Sequence, residues 1–439
     1  MRVSSDQPAC ACLSADRAGK CNKIYLRMTF LYNFFISLLY FAILFASLVN
    51  KKAKKWVNGR RNVFEPLLNS VAAGDEFIWI HCASLGEFEQ GRPIIEGLKK
   101  VHPNYKILLS FFSPSGYEIR KNYEYADIVT YLPLDTISNT KKFISIINPK
   151  LVIFVKYEFW FNYLAELKKQ KIPVIFISSL FRPDQYFFKS YGSWFRKELN
   201  NIDHFFVQNE ESKELLQNIG INQVTTCGDT RFDRVYQLAQ NPLKFEIVEA
   251  FKGDQQLIIA GSTWPQDEEQ LIPMIEQFPE LKFVIAPHEV HASRIEQIQK
   301  KIGSKAILLS AAKINELDHY KVLIVDSIGV LAHLYQYATI AYIGGGFKTG
   351  LHNIQEPVTF GIPVVFGPKF QKFQEAKDLI KLKGAFSIKN SGELQEIFSN
   401  LIIKKEMYQN ACQTNKNYVN QSVGASKIIL DYLNKLLEN

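Results

Sequence analysis

Two successive series of short, β-branched apolar runs, each run followed by a helical stretch, constrain this chain more than any other feature. The first series reads FIWIHC at 77, KILLSF at 106, LVIFV at 151, VIFIS at 174 and HFFVQN at 204. The second reads LIIAGS at 257, FVIAP at 283, AILLS at 306, KVLIVDS at 321, TIAYIGG at 339 and PVVFG at 363. Near-continuous apolar runs of this length suit strands buried on both faces, and their alternation with helices implies βαβ units and a parallel sheet. The polar stretch Tyr236–Gln255, with Asn241-Pro242 and Gly253-Asp254, separates the series. The pattern predicts an α/β fold of two doubly wound domains, 50–240 and 241–425, facing one another across a cleft, and an amphipathic helix at 426–439. A chain of 439 residues exceeds what one core usually supports, which agrees with two domains. Open α/β sheets bind ligands beyond the carboxyl ends of their strands, so the residues just after each run carry the functional question.

Ahead of both series lies Thr29–Val49, an uncharged apolar run followed by Lys51, Lys52, Lys54, Lys55, Arg60 and Arg61. It is long enough to cross a hydrocarbon layer roughly 30 Å thick as a helix. The run at 29–49 is therefore expected to anchor the protein, and the lysines place the catalytic part on the cytoplasmic side. A cleaved signal peptide is the competing reading; no small-x-small site precedes the lysines, and the run is long for such a segment. Residues 1–28 hold Cys10, Cys12 and Cys21 and no apolar periodicity, and Met28 stands immediately before the run, so they read as an extension that is disordered or not native. Cys82, Cys227 and Cys412 are scattered without a CxxC pair, which suggests neither a disulfide framework nor structural zinc, and fits a reducing compartment. The net charge of +9 is spread out apart from the lysine cluster, and no nucleic-acid partner is expected.

At the ends of the runs, Ala83-Ser84-Leu85-Gly86 makes a sharp turn before Glu87 at a helix start. The positive end of that helix favours an ionised carboxylate, which can take a proton from a sugar hydroxyl or simply cap the helix. Glu158, in Lys156-Tyr157-Glu158-Phe159-Trp160, puts a second carboxylate on the same rim. In the second series, Gly261-Ser262-Thr263-Trp264 leads into a helix, and exposed backbone N–H groups at such a turn suit a phosphate; capping without a ligand fits as well. His288 and His291 are spaced i, i+3, not the i, i+4 of a zinc helix, so no metal site is expected there. The richest segment runs from Tyr342 to Pro357. Gly344, Gly345, Gly346 and Gly350 permit close approach of the backbone to a ligand, Asn353 can orient groups, and Glu356 can accept both hydroxyls of a ribose. It is neither GxGxxG nor a P-loop. The absence of Asp-x-Asp after any strand argues against a metal-bridged diphosphate donor, and a metal-free site must neutralise its leaving phosphate with dipoles and cations. Arg231 in Gly228-Asp-Thr-Arg-Phe-Asp233 is the best-placed cation, although a lone arginine more often serves a salt bridge.

Together ASLGE at 83, YEFW at 157, GDTRFD at 228, GSTW at 261, DSIGVL at 326 and GLHNIQEP at 350 resemble the Kdo transferases, the 3-deoxy-D-manno-octulosonic acid transferases of lipopolysaccharide assembly, over about residues 29–435. The resemblance implies a GT-B fold, CMP-Kdo as donor substrate, a lipid A precursor as acceptor, inversion at the anomeric carbon, no metal or other cofactor, and a place on the bacterial inner membrane. It implies Glu87 as the proton acceptor, Glu158 and Arg231 as transition-state stabilisers, and Pro287, His288, Ile328, Gly329, Val330, Asn353, Ile354, Gln355 and Glu356 as the CMP-binding residues. Three positions depart from the family pattern. Arg231 stands where many members have lysine, His288 where arginine is common, and Val330 where glutamate is usual.

Tyr186, Phe187, Phe188, Tyr191, Trp194 and Phe195 interleave with Lys189, Arg196 and Lys197, which suits either a membrane interface beside a phosphorylated lipid or a buried aromatic helix. The rival readings are a GT-B enzyme or epimerase using a UDP-sugar, and a membrane-tethered binding protein that has kept the fold without catalysis.

Overall fold

The structure, a computed structural model, describes residues 15–438 apart from Tyr157 and Thr349, with side chains from Leu26 onward. The first fourteen residues of the expected N-terminal extension, and Tyr157 of the YEFW motif, lie outside the described residues.

The chain forms two compact units, residues 1–228 with 426–439, and residues 229–425. The first holds β1 (Phe77–Cys82), β2 (Lys106–Phe111), β3 (Ile128–Tyr131), β4 (Pro149–Val155), β5 (Val174–Ser179), β6 (His204–Val207) and β7 (Val224–Thr226) in the order β3-β2-β1-β4-β5-β6-β7. The second holds β8 (Leu257–Thr263), β9 (Lys282–Pro287), β10 (Ala306–Leu308), β11 (Val322–Ile324), β12 (Ile340–Ile343), β13 (Val364–Phe366) and β14 (Ala385–Ser387) in the order β10-β11-β9-β8-β12-β13-β14. Adjacent strands run parallel throughout both sheets.

Every side chain of β1 is buried, as a strand covered by helices on both faces requires. In each sheet the early strands lie on one side of the first strand and the later ones on the other, although in the second sheet β11 inserts between β9 and the edge strand β10. The reversals fall between β1 and β4, and between β8 and β12. A doubly wound sheet opens a crevice at such a switch point, and the turns after those four strands border it.

The units divide at Gly228, ahead of the polar linker around 240. The cause is the helix Thr230–Gln240, whose Phe232 is buried in the second unit's core. The terminal helix Ala425–Glu438 sends Ile429 and Leu433 into the core of the first unit, and His102 Nε2 donates to Asn434 Oδ1 at 2.9 Å.

The helix Ala15–Ala46 begins well ahead of Thr29 and ends before Val49. Its portion Leu26–Ala46 is long and apolar enough to cross a membrane, and only 6% of its most apolar stretch is buried. One face nonetheless belongs to the first unit. Met28 and Tyr32 pack on that unit's core, Tyr32 Oη donates to Asp135 Oδ2 at 2.5 Å, and Asn162 Nδ2 donates to Asn33 Oδ1 at 3.1 Å. The aromatic segment beyond β5 is mainly interior. Phe187 and Trp194 are buried, Arg196 donates to the carbonyls of Phe187 and Lys189, and Tyr186 and Tyr191 remain at the surface.

Candidate active site

At the β1/β4 switch point, Ser84 caps the helix Leu85–Val101, its Oγ accepting from Gly86 N at 3.3 Å and donating to Glu87 Oε2. Lys156, immediately after β4, extends Nζ to 3.3 Å from Glu87 Oε1. A φ of +69° at Lys156 turns the chain sharply as it leaves the strand, an uncommon conformation for a non-glycine residue. Burial alone would raise the pKa of Glu87, but Lys156 and the Ser84 hydroxyl outweigh it and hold the carboxyl below its ordinary range. Glu87 is therefore an anion in a half-buried site.

Glu158 lies near the same rim, with Oε2 3.7 Å from Nε2 of the buried His81. Trp160 Nε1 donates to that same Nε2 at 3.3 Å. An imidazole nitrogen that accepts the indole hydrogen has none to give Glu158, so the approach of Glu158 is a contact and not a bond. Burial raises the Cys82 thiol pKa, and the charges of Glu87 and Glu158 raise it further. The two expected carboxylates thus act on one spot, the end of β1. Lys156 is the residue here to which sequence reasoning gave no role; its signal was a cation at the first position after a central strand.

At the β8/β12 switch point the glycines are required by packing. A Cβ at Gly344 would meet Ser262 O at 2.2 Å, and one at Gly346 would meet Gly367 Cα at 2.7 Å. Gly345, with φ +91°, passes directly beside the His352 ring. The β8 turn is itself strained, with φ +53° at Ser262. The backbone N–H groups of Trp264, Gly344 and Gly345 are already engaged. Buried Asp267 accepts Trp264 N at 2.9 Å, Gly345 N at 2.8 Å and Tyr342 Oη at 3.0 Å, and Gly344 N donates to Gly261 O at 2.9 Å. Burial raises the Asp267 carboxyl pKa while these bonds oppose the shift. Asp267 ties the two turns of the switch point together, and the sequence hinted at it only as the third residue after a helix cap.

Around that knot stand the side chains left to meet a ligand. Pro287 is buried at the end of β9, and His288 N donates to Thr263 O at 3.0 Å, which brings the His288 ring onto Trp264 and His352. His291 caps the helix Ala292–Ile302. Ile328 is exposed, Gly329 has φ +91°, and half-buried Val330 leads into the helix Leu331–Leu334. That segment underlies β8, for a Cβ at Gly261 would meet Leu331 Cδ2 at 3.0 Å and, just past the helix, Tyr335 Oη at 2.0 Å. Asn353 Nδ2 donates to Glu356 Oε1 at 3.1 Å, and burial raises the Glu356 pKa. Ile354 and Gln355 are 1% exposed, so both face the interior, and Gln355 N donates to Asn353 Oδ1 at 3.0 Å. Arg231 belongs to this unit; it donates to both oxygens of Asp229 and lies 3.6 Å from Glu375.

The family model for 3-deoxy-D-manno-octulosonic-acid transferase (kdotransferase) matches residues 47–234. The 3-deoxy-D-manno-octulosonic acid transferase of Aquifex aeolicus is 30% identical over 339 residues, covering 75% of this chain and 87% of that protein. Its namesake from Rickettsia bellii is 28% identical over 397 residues, covering 86% and 91%. Among solved structures, a putative UDP-N-acetylglucosamine 2-epimerase from Listeria monocytogenes superposes with a TM-score of 0.59 at 14% identity over 83% of this chain and 97% of that one. UDP-GlcNAc 2-epimerase from Neisseria meningitidis gives 0.57 at 18% identity over 82% and 100%. At such identities the likeness is of fold alone, and with the two parallel sheets it is the GT-B fold.

Proposed function

The chain belongs to the 3-deoxy-D-manno-octulosonic acid transferases, glycosyltransferases of lipopolysaccharide biosynthesis, and from that premise we propose that it moves Kdo from CMP-Kdo onto a lipid A precursor with inversion. The observation that carries the reading is Glu87, an anion held by Lys156 and Ser84 at the switch point of the first sheet. As the acceptor hydroxyl oxygen attacks the anomeric carbon of Kdo, Glu87 takes its proton, the new carbon–oxygen bond forms, and the bond to the cytidylate phosphate breaks on the opposite face. Glu158 adds negative charge near the oxocarbenium-like carbon, and Arg231 meets the leaving phosphate once its carboxylate partners give way. Pro287, His288, the 328–330 turn and Asn353–Glu356 hold CMP on the second unit.

No metal takes part in this reading, which rests on the absence of Asp-x-Asp and on the family. The helix Leu26–Ala46 and the lysines after it support attachment to the inner membrane with both units on the cytoplasmic face. The test is to incubate the full chain with CMP-Kdo and a Kdo-free lipid A precursor, with and without chelator, and to weigh the lipid product. A product heavier by one or more Kdo in both samples is expected. Loss of activity on chelation, restored by magnesium, overturns metal independence. Thermal protection by UDP and none by CMP overturns the donor assignment.

A further inference from the structure

Asp267 has taken the backbone N–H groups of Trp264 and Gly345, and Gly344 N is spent on Gly261. A phosphate here cannot draw on these three N–H groups, and the side chains beside them become candidates. The nearest side chains form a stack: the His288 and His352 rings lie 4.3 Å apart at 20°, Trp264 is 4.9 Å from His288, and Lys348 Nζ sits 4.5 Å from the Trp264 ring centroid.

Within the stack one bond decides the chemistry. Trp264 Nε1 lies 2.9 Å from His352 Nε2. An indole nitrogen can only donate, so His352 Nε2 must accept, and its hydrogen is confined to Nδ1. Protonating the ring would set N–H against N–H. Burial, followed by the neighbouring His288, lowers the His352 pKa to about 4, in agreement with the hydrogen-bond logic. The lock is held at both ends, because Trp264 is tied through its own N–H to Asp267 and His352 N donates to Gly344 O at 3.2 Å. Nδ1–H has no protein partner among the described residues.

We propose that Trp264 is a positioning residue that fixes His352 as the uncharged Nδ1–H tautomer, and that this N–H binds a phosphate oxygen of the nucleotide donor. The second half rests on the CMP-Kdo reading above; the first does not. A neutral donor fits a group-transfer site because it holds the phosphate in both substrate and leaving group without drawing off the charge that Arg231 and Lys348 must meet.

The experiment uses the full chain in detergent, labelled with ¹⁵N-histidine. The His352 resonance, assigned by its loss in His352→Asn, should show a bare Nε2 and a protonated Nδ1 at neutral pH, and in Trp264→Phe it should become a tautomer mixture. Affinities for CMP and for cytidine are then compared. Asparagine places its amide where Nδ1–H stood, so His352→Asn should hold CMP to within about threefold. Glutamine mimics the other nitrogen, and His352→Gln should weaken CMP by at least about 10-fold while leaving cytidine unchanged. A protonated Nε2 in the wild type overturns the lock. Equal CMP affinity in the glutamine variant, or equal losses for CMP and cytidine, overturns the phosphate contact. Wild-type preference for UDP over CMP sinks the donor reading instead, and the same pair of variants then tests His352 with UDP and uridine.

Discussion

Lys156 Nζ reaches to 3.3 Å from Glu87 Oε1, and the pair is formed by the residues that follow the two central strands of the first sheet, β4 and β1. Neither residue gains its character alone: in a half-buried place the carboxylate would resist ionisation, and the ammonium reverses that.

Lys156→Met is therefore expected to move the acid limb of the transfer rate to higher pH. The sign follows from the causes acting on Glu87. Burial raises its pKa and Lys156 lowers it, so with the lysine gone burial is opposed only by the Ser84 hydroxyl and the backbone N–H of Glu87, and the carboxyl titrates at higher pH. The pH profile of kcat/KM in the variant and the wild type reads this directly. An unmoved acid limb would show that the titrating group is not Glu87.

Glu87→Gln keeps the volume and the hydrogen bond from Ser84 while removing the basic oxygen. General-base contributions are about 100- to 10,000-fold, so transfer should slow by at least about 100-fold, a barrier increase of roughly 2.7 kcal/mol. CMP affinity and melting temperature should stay near wild type. Melting or CMP binding lost in step with activity would make Glu87 a structural cap. A near wild-type rate would move the base to Glu158.

Asp135 makes a pH-dependent contribution to stability. It is 1% exposed, accepts from Asn162 N at 3.2 Å, Tyr163 N at 3.1 Å and Tyr32 Oη at 2.5 Å, and burial pushes its pKa up from 3.8 to about 6. The folded state holds the proton more tightly than the unfolded chain, so this group's stabilisation is full below about pH 4, falls as pH rises towards 6, and is level above. The fall is on the order of 3 kcal/mol, from a shift of about two units at 1.36 kcal/mol each. Asp135→Asn should flatten the melting temperature between about pH 4 and pH 6 relative to wild type. A wild-type slope that persists in the variant assigns the titration to another group.

How much could be read in advance depended on where an element sits in its sheet. β1, β4, β5, β8 and β9 are apolar along nearly their whole length because helices cover both faces, and their runs stand out in the sequence. β3, β7 and β14 are not legible because they are short and polar residues break their apolar runs, with Thr225, Thr226 and Ser387 only half-buried; β10 is as short and also at an edge, but AILLS carries the apolar run past it. Strand ends located Glu87, Glu158 and the glycine turn, since the switch-point rule needs only strand order. Partnerships were not legible. That Asp267, beyond capping its own helix at Trp264, would also take the N–H of Gly345, or that Arg231, beside Asp229, would also meet Glu375, depends on residues far apart in sequence.

Gly346 tests whether the glycine turn is built for packing. Its Cβ would stand 2.7 Å from both Gly367 Cα and Gly367 N, which are backbone atoms of the neighbouring β13 exit and cannot swing aside as a side chain could. Gly346 has no positive φ, so the penalty for alanine is steric and not torsional. Overpacking of this kind costs about 1–3 kcal/mol. Gly346→Ala should therefore lower the melting temperature, and because the turn must part from Gly367, it should also weaken CMP binding. Gly350→Ala offers the contrast: its Cβ would meet only Phe373 Cε2 at 3.9 Å, but its φ is +112°, so any loss there is torsional. If Gly346→Ala melts and binds CMP like the wild type, the close approach of the two turns does not hold the site together.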